Sequence, residues 1–298
     1  METFLGSEQL SLSGVQRNLL EGVDYARISR GAIVSPETIM KYMPAIGGLV
    51  LNAGCGPGDK VMEFARLASS RYGPRKVVGV DLNPLAILQA RRLSEEEEAG
   101  WMVSFLVADV ANDLAEKLKN HRGFVDVVVA EGLFCNLLGD DPQRALVNIN
   151  QLLRPGGWLI VADCLRVDDS RAVPLLLEEG YRENDITIWQ EKWLRRYEYN
   201  LKLRIGLRSG EFLVVAPGEG DMDDFKELEF GDPEILDMLR RRGMVERYAC
   251  HRGREEWGEL MRQAGFEQGD WREAIWKSRT NEPTLGMVAA FEKVAESG

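Results

Sequence analysis

The sequence predicts an α/β protein built on a doubly wound, mostly parallel β-sheet. Between residues 48 and 164, short runs rich in β-branched residues alternate with helical patterns, and this alternation is typical of parallel strands joined by crossover helices. The strand-like runs are apolar almost without interruption, as expected for strands covered on both faces. These two observations together predict the fold class.

The strands and helices of this core follow one another in order. Strands are predicted at residues 48–53, 76–81, 103–108, 125–131 and 158–163, and helices at residues 60–72, 84–97 and 142–153. The sequence Arg154-Pro155-Gly156-Gly157 ends the last of these helices and turns the chain into the fifth strand, because proline and glycine are typical after helix ends.

The segments outside this core complete the predicted organisation of the chain. Residues 1–47 are expected to form an N-terminal helical lid segment, residues 48–165 the core, residues 166–250 an inserted cap, and residues 251–298 the rest of the sheet. In the last segment, a helix at 254–264 precedes strands at 266–277 and 284–293. In the cap, alternating apolar residues at 197–205 are expected to form a hairpin with residues 211–215 through Ser209-Gly210.

Composition and charge exclude several classes of protein. The 298 residues are 45% hydrophobic and 29% charged, which is typical of a folded globular chain. A net charge of −11 disfavours nucleic acid as a partner. No apolar run is long enough to cross a bilayer and no secretory signal is evident, so we expect a cytoplasmic protein. The four cysteines are widely spaced and form no Cys-x-x-Cys motif, and we therefore expect no metal site.

A glycine-rich run at the end of the first predicted strand is the strongest local signal. It reads Asn52-Ala53-Gly54-Cys55-Gly56-Pro57-Gly58-Asp59. Alternate glycines let the backbone turn sharply and approach a ligand closely, and the following helix presents unpaired N–H groups. A tight turn without a ligand is the structural alternative. The spacing differs from the Gly-x-Gly-x-x-Gly of dinucleotide binders, which disfavours a nicotinamide dehydrogenase.

Two carboxylates end the next two predicted strands. Asp81 follows an apolar strand, where a carboxylate can accept hydrogen bonds from both ribose hydroxyls. Asp109 ends the third strand, within reach of an exocyclic adenine amine. A helix or turn cap is the alternative for each residue. Three strand ends that point to one edge of a sheet favour a shared binding site.

These motifs resemble those of the class I S-adenosylmethionine-dependent methyltransferases. The resemblance rests on the glycine run, Val80-Asp81, Ala108-Asp109 and the stretch from Leu152 to Gly157. It covers about residues 48–164 and resumes at 257–266. It implies a Rossmann-like, seven-stranded sheet whose last strand is antiparallel, with S-adenosyl-L-methionine as the cofactor.

The resemblance also implies roles for individual residues. Gly54, Gly56 and Gly58 would wrap the methionine moiety, Asp81 would hold the ribose, and Leu82 would contact the cofactor. Asp109 with Val110 would flank the adenine, and Glu131 would open the active-site face or contact the methionine amino group. The family commonly has an acidic residue where this chain has Asn52, whose amide can accept a hydrogen bond from the cofactor ammonium but brings no charge. Asp59 is expected to cap the following helix.

The acceptor of the methyl group is the least defined part of the site. The sequence after Glu131 lacks both the Asn/Asp-Pro-Pro-aromatic signature of nucleobase amine methyltransferases and a Pro-Cys nucleophile. With the net charge, this favours methyl transfer to an oxygen or nitrogen of a small molecule. The candidate catalytic residues are His251 and Glu131. The candidate substrate contacts are Tyr25, Phe134, Trp189, Trp193, Tyr197 and His251.

Other readings of this sequence stay open. A methyltransferase that acts on a protein or RNA would use the insertion to recognise its substrate. The chain could also be a partner protein that binds the cofactor but has lost catalysis, and Asn52 in place of the common acidic residue would then be a sign of that loss. A homodimer is compatible with the sequence, which does not define the oligomeric state.

Overall fold

The computed structural model describes residues 34–44, 47–67, 74–137, 140–165, 169–184, 186–187, 211–216, 245–250, 252–277 and 283–294. The strands are β1 (Leu49–Ala53), β2 (Lys76–Asp81), β3 (Val103–Val107), β4 (Val125–Glu131), β5 (Leu153–Cys164), β6 (Glu211–Ala216), β7 (Val245–Cys250), β8 (Phe266–Lys277) and β9 (Pro283–Lys293). The helices are α1 (Pro36–Met40), α2 (Asp59–Arg66), α3 (Pro84–Glu96), α4 (Leu114–Lys117), α5 (Asp141–Leu152), α6 (Asp169–Glu178) and α7 (Arg254–Gln263).

Seven of the strands form one sheet in the order β3-β2-β1-β4-β5-β9-β8. Strands β1 to β5 are parallel, whereas β9 is antiparallel to both β5 and β8. The predicted fold class, a Rossmann-like, mostly parallel seven-stranded sheet, is therefore confirmed. The chain leaves β1 toward β2 and β3 and then returns to β4 on the other side of β1. The carboxyl ends of β1 and β4 thus form a topological switch point, where sheets of this kind bind ligands.

Two apolar clusters cover the two faces of this sheet. Neighbouring residues of β4, such as Val127 and Val128, are fully buried and belong to opposite clusters, because side chains alternate between the faces of a strand. Helices α5 and α7 contribute to one cluster, and α1, α2 and α3 to the other. The core strands are therefore apolar throughout, as the sequence indicates.

Several elements differ from the predicted ones. Strand β5 begins at Leu153, which pairs with Val125 before the register shifts at the turn containing Gly156. The short helix α4 was not predicted. In the cap, β6 pairs with β7, whereas the predicted partner at 197–205 lies outside the described residues. The proposed domain boundaries stay a prediction.

Residues 34–44, here called the N-terminal strap, lie against one face of the sheet. Val34 is 1% exposed and Ile39 is fully buried in the cluster that contains α2 and α3. Farther along the strap, the ring of Tyr42 packs 4.7 Å from that of Trp158, and its hydroxyl donates a hydrogen bond to Asp270. The strap is thus held at points spread along its length.

Candidate functional site

The three glycines of the turn after β1 have left-handed backbone angles, which agrees with the sharp turn that their spacing predicts. Gly54, Gly56 and Gly58 have φ angles of 75°, 52° and 93°, a region that favours glycine. A Cβ atom on Gly58 would lie 2.7 Å from the Cβ of Ala90, whereas one on Gly56 would meet no atom of the described residues within 4 Å. The turn is therefore closely packed at its end and open at Gly56, where a ligand can approach the main chain.

Strand β2 holds this turn through main-chain and carboxylate acceptors. The N–H groups of Gly54 and Cys55 both donate to the carbonyl of Val80, and the N–H of Gly56 donates to Oδ2 of Asp81 at 2.9 Å. Gly58, rather than Asp59, occupies the N-cap of α2. The expectation that Asp59 caps this helix was wrong, because the turn keeps its left-handed conformation up to Gly58 and Asp59 becomes the first helical residue.

Asp81 is buried at the base of the turn. Its side chain also accepts a hydrogen bond from the N–H of Asn83 at 2.9 Å, and the residue is 7% exposed. Burial raises the pKa of Asp81, and the N–H donors of Asn83, Gly56 and Leu82 oppose that rise. A carboxylate accepts about four hydrogen bonds, so Asp81 retains acceptor capacity for a ligand hydroxyl beside these donors. Asn83 in turn caps α3, since its Oδ1 accepts from the N–H groups of Leu85 and Ala86.

Asp109 lies next to Asp81 at the edge of the sheet. The N–H of Ala108 donates to the carbonyl of Asp81, which aligns the two strand ends. The Asp109 carboxylate accepts from the N–H of Ala111 at 2.8 Å and from the Asn112 amide at 2.6 Å. Asp109 thus organises the loop that leads into α4, as in the turn-cap alternative, and its contact with adenine stays a prediction. The next residue, Val110, is 5% exposed.

Glu131, at the end of β4, meets the N-terminal strap. Its Oε1 accepts a hydrogen bond from the N–H of Val34 at 2.8 Å and lies 3.8 Å from Nζ of Lys60. Lys60 is 8% exposed and donates to the carbonyl of Val34 and to Oε2 of Glu63, both at 2.8 Å. Sequence reasoning missed Lys60. The available signal was a lysine four residues before Phe64, on the apolar side of a predicted amphipathic helix.

The turn after β4 is held by the segment that leads into α7. Arg252 donates through Nη1 to the carbonyl of Phe134 at 2.8 Å and through Nη2 to the carbonyl of Leu137 at 3.0 Å. The Phe134 ring is fully buried and packs edge-on against Trp257, with ring centroids 5.4 Å apart. Because the ring has no exposed surface, Phe134 would reach an acceptor only if this turn moved, and its substrate contact stays a prediction.

Asp163, near the end of β5, is a second buried ionisable residue that sequence reasoning did not single out. It is fully buried, and its carboxylate accepts from the N–H groups of Cys135 at 2.9 Å and Cys164 at 2.7 Å. Burial raises the pKa of Asp163 from 3.8 to about 6. The signal for it was the one that identified Asp81, a carboxylate at the end of an apolar strand.

The remaining candidate residues lie outside the described part of the chain. They are Tyr25, Trp189, Trp193, Tyr197 and His251. The Asn52 side chain lies within the described part, is 2% exposed and belongs to the strand that leads into the glycine turn. Within the described ranges, no three His, Cys, Asp or Glu side chains cluster as a metal site would require. No helix among those ranges is long and apolar enough to cross a bilayer.

Comparisons with known proteins agree with this geometry. Residues 47–200 match a protein family described as a methyltransferase domain. The chain is 28% identical to the ribosomal protein L11 methyltransferase of Photobacterium profundum, over 41% of this chain and 35% of that protein. It is 36% identical to the protein of the same name from Dechloromonas aromatica, over 39% of this chain and 32% of that protein. The matches therefore span about a third of the length of these relatives.

Solved structures with low sequence identity share the fold. A methyltransferase structure from Methanosarcina mazei superposes with a TM-score of 0.61 at 20% identity, covering 87% of this chain and 97% of that chain. The cyclase SpnF superposes with a TM-score of 0.51 at 14% identity, covering 87% of this chain and 80% of that chain. At these identities the likeness concerns the fold alone.

Proposed function

The chain belongs to the methyltransferase domain family, within the class I S-adenosylmethionine-dependent methyltransferases, and from this premise we propose that it methylates an oxygen or nitrogen atom of a small molecule. The observation that carries methyl transfer is the open glycine turn fixed by Asp81, while the small-molecule acceptor is supported by the net charge of −11 and by the absence of nucleobase-methylating motifs after Glu131. Gly56 leaves space that a side chain would fill, and its N–H is held by the same carboxylate that retains capacity for a ribose hydroxyl. These residues fit an adenosyl cofactor.

The cofactor supplies an electrophilic methyl group on a sulfonium, and the protein supplies position and exclusion of water. In this proposal the turn at Gly54 to Gly58 receives the methionine moiety. The side-chain amide oxygen of Asn52 accepts a hydrogen bond from the ammonium group of the cofactor. Asp81 with Leu82 orients the ribose, and Asp109 with Val110 borders the adenine. Because these groups surround the switch point, the acceptor would enter over the end of β4.

Methyl transfer also needs groups that set the protonation state of the acceptor. An amine must arrive deprotonated, and a hydroxyl benefits from a base whose pKa lies near the working pH. We assign that role to His251. In support, the next residue, Arg252, holds the carbonyls of Phe134 and Leu137 beside the end of β4. The aromatic residues Tyr25, Trp189, Trp193 and Tyr197 would then form the wall of the acceptor pocket.

A protein acceptor is the second candidate, and a specific observation favours it. The curated relatives described above are, by name, methyltransferases of a ribosomal protein. Their matches cover about a third of their length, so the segments that recognise the substrate need not be shared. Chemistry other than methyl transfer is a third candidate, because a structure with this fold is a cyclase.

Transfer of a labelled methyl group separates these candidates. The purified chain is incubated with S-adenosylmethionine that carries a tritiated methyl group and with a cell extract divided into small-molecule and macromolecular fractions. Label in a small-molecule product supports the proposal, and label in precipitable protein supports the second candidate. Binding of S-adenosylhomocysteine without transfer to either fraction would contradict both. D81A provides the matched control, because it should abolish transfer without changing the extract.

A further inference from the structure

The main chain of Val34 is held on both sides by charged residues of the core. Its N–H donates to Oε1 of Glu131, and its carbonyl accepts from Nζ of Lys60, both at 2.8 Å. The contacts involve only backbone groups of Val34, while its side chain is buried in the adjoining apolar cluster. We call this arrangement, Lys60–Val34–Glu131, the main-chain bridge.

The bridge spans the topological switch point of the sheet. Glu131 is the last residue of β4 and Lys60 is the second residue of α2, directly after the glycine turn that follows β1. Ligands of such sheets bind between these two strand ends. The two walls of the proposed cofactor groove are thus connected through one residue of the N-terminal strap.

The charges of the bridge depend on one another. Lys60 is 8% exposed and has the carbonyl of Val34, Glu63 and, at 3.8 Å, Glu131 around its ammonium group. A buried ammonium is unfavourable unless it is paired and hydrogen-bonded. The carbonyl of Val34 adds an acceptor to the one that Glu63 provides, which favours the bridged arrangement over one with the strap detached.

The rest of the strap is anchored away from the bridge. Ile39 is fully buried, and Tyr42 packs on Trp158 and donates to Asp270. Loss of the bridge should therefore release the chain around Val34 without removing the strap from the sheet. This separation makes the bridge testable without unfolding the protein.

We infer that Lys60 and Glu131 are positioning residues for the cofactor, which act through the main chain of Val34 to fix the two walls of the groove. The inference rests on the proposed function. It also gives Glu131 a role different from that of a base, because its carboxylate serves Val34 and Lys60. Lys60 then contributes to cofactor retention without contacting the cofactor.

The test compares Lys60→Met with the same substitution at a lysine that lies outside the groove. Lys119 is exposed and pairs with Glu116 in the turn before β4, so K119M is the matched control. S-adenosylhomocysteine binding is measured on the full chain by titration and its dissociation by stopped flow. We expect K60M to weaken affinity about tenfold, through faster dissociation, because it removes hydrogen bonds from a charged donor. K60R should recover most of the affinity and K119M should leave it unchanged.

A second readout distinguishes positioning from a merely structural role. Amide hydrogen exchange at Val34 should accelerate in K60M, while exchange at Ile39 should stay as in the wild type. Cofactor should slow exchange at Val34 in the wild type and fail to do so in K60M. Faster exchange at Val34 with unchanged cofactor affinity would overturn the inference. If the wild type itself bound no S-adenosylhomocysteine, the proposed function would fail first, and the inference with it.

Discussion

The Asp81 carboxylate accepts a hydrogen bond from the N–H of Gly56 at 2.9 Å. The residue that ends β2 therefore fixes the conformation of the turn that follows β1. A carboxylate proposed to hold a ribose thus also shapes the loop proposed to receive the methionine moiety. The two halves of the cofactor site are coupled through one side chain, and a change at Asp81 should affect both.

Replacement of Asp81 by asparagine should weaken S-adenosylhomocysteine binding about ten- to hundredfold, because hydrogen bonds to a charged acceptor are lost at the turn and at the ribose. Titration calorimetry measures the effect. Asp126→Asn is the matched control, since Asp126 is also buried and accepts the N–H of Leu49 at the opposite edge of the sheet. D126N should lower the free energy of unfolding without changing affinity. Equal affinities for D81N and the wild type would remove Asp81 from the site.

Gly56→Ala should impair binding of S-adenosylhomocysteine more than it impairs folding. The new methyl group would point into the open space at φ 52°, where the cofactor is proposed to approach. Gly123→Ala is the control, since Gly123 also has a positive φ, 72°, and an added Cβ there would have no atom of the described part of the chain within 4 Å, but Gly123 lies before β4. Both variants should lose about 1–2 kcal/mol of stability. Only G56A should lose affinity, by at least about tenfold, and a parallel loss in G123A would refute the assignment.

Asn52→Asp should tighten binding of S-adenosylhomocysteine several-fold. The amide brings no charge to the cofactor ammonium, whereas a carboxylate would form a charge-assisted hydrogen bond. Methylthioadenosine lacks that ammonium, so its affinity serves as the internal control and should not increase. If N52D tightened both ligands equally, the change would act on the turn rather than on the ammonium.

Asp163 should make stability depend on pH. Because burial raises the pKa of Asp163 from 3.8 to about 6, the folded state binds its proton more tightly than the unfolded state. The contribution of Asp163 to the free energy of unfolding is therefore fully present below pH 3.8 and is lost as the pH rises through about 6. The loss amounts to at most about 3 kcal/mol. D163N cannot titrate. The free energies of unfolding of D163N and the wild type are measured with urea at about pH 4 and about pH 8. Relative to the wild type, D163N should be more stable at the higher pH than at the lower pH. An equal difference at both pH values would contradict the prediction.

The strand positions and the proposed cofactor-side residues follow from local signals in the sequence. Apolar runs of strand length predict β1 to β4 within a residue of their observed bounds, and three glycines at alternate positions predict a sharp turn because glycine adopts backbone angles that other residues rarely adopt. Asp81 and Asp109 are proposed as ligand contacts because the carboxyl ends of parallel strands meet at one edge. Each of these predictions uses only residues that are close together in the sequence and the length of their apolar runs.

The missed features depend on residues that are far apart in the sequence. The bridge joins Val34 to Lys60 and Glu131, 26 and 97 positions away, and nothing local to any of them predicts the contact. Pairing of Val125 with Leu153 extends β5 across a Pro-Gly-Gly turn, where local propensity predicts a loop. The pairing of β6 with β7, which are 29 or more positions apart, was not predicted either, because partner choice is a tertiary property. The predicted hairpin between 197–205 and 211–215 stays a prediction.

The structure of the chain crystallised with S-adenosylhomocysteine is the most direct measurement of the central claim. We predict the ligand at the switch point between β1 and β4, with its ribose hydroxyls within hydrogen-bond distance of Asp81 and its amino-acid portion against the turn at Gly56. An empty groove at saturating ligand, or a ligand bound away from both residues, would contradict the account.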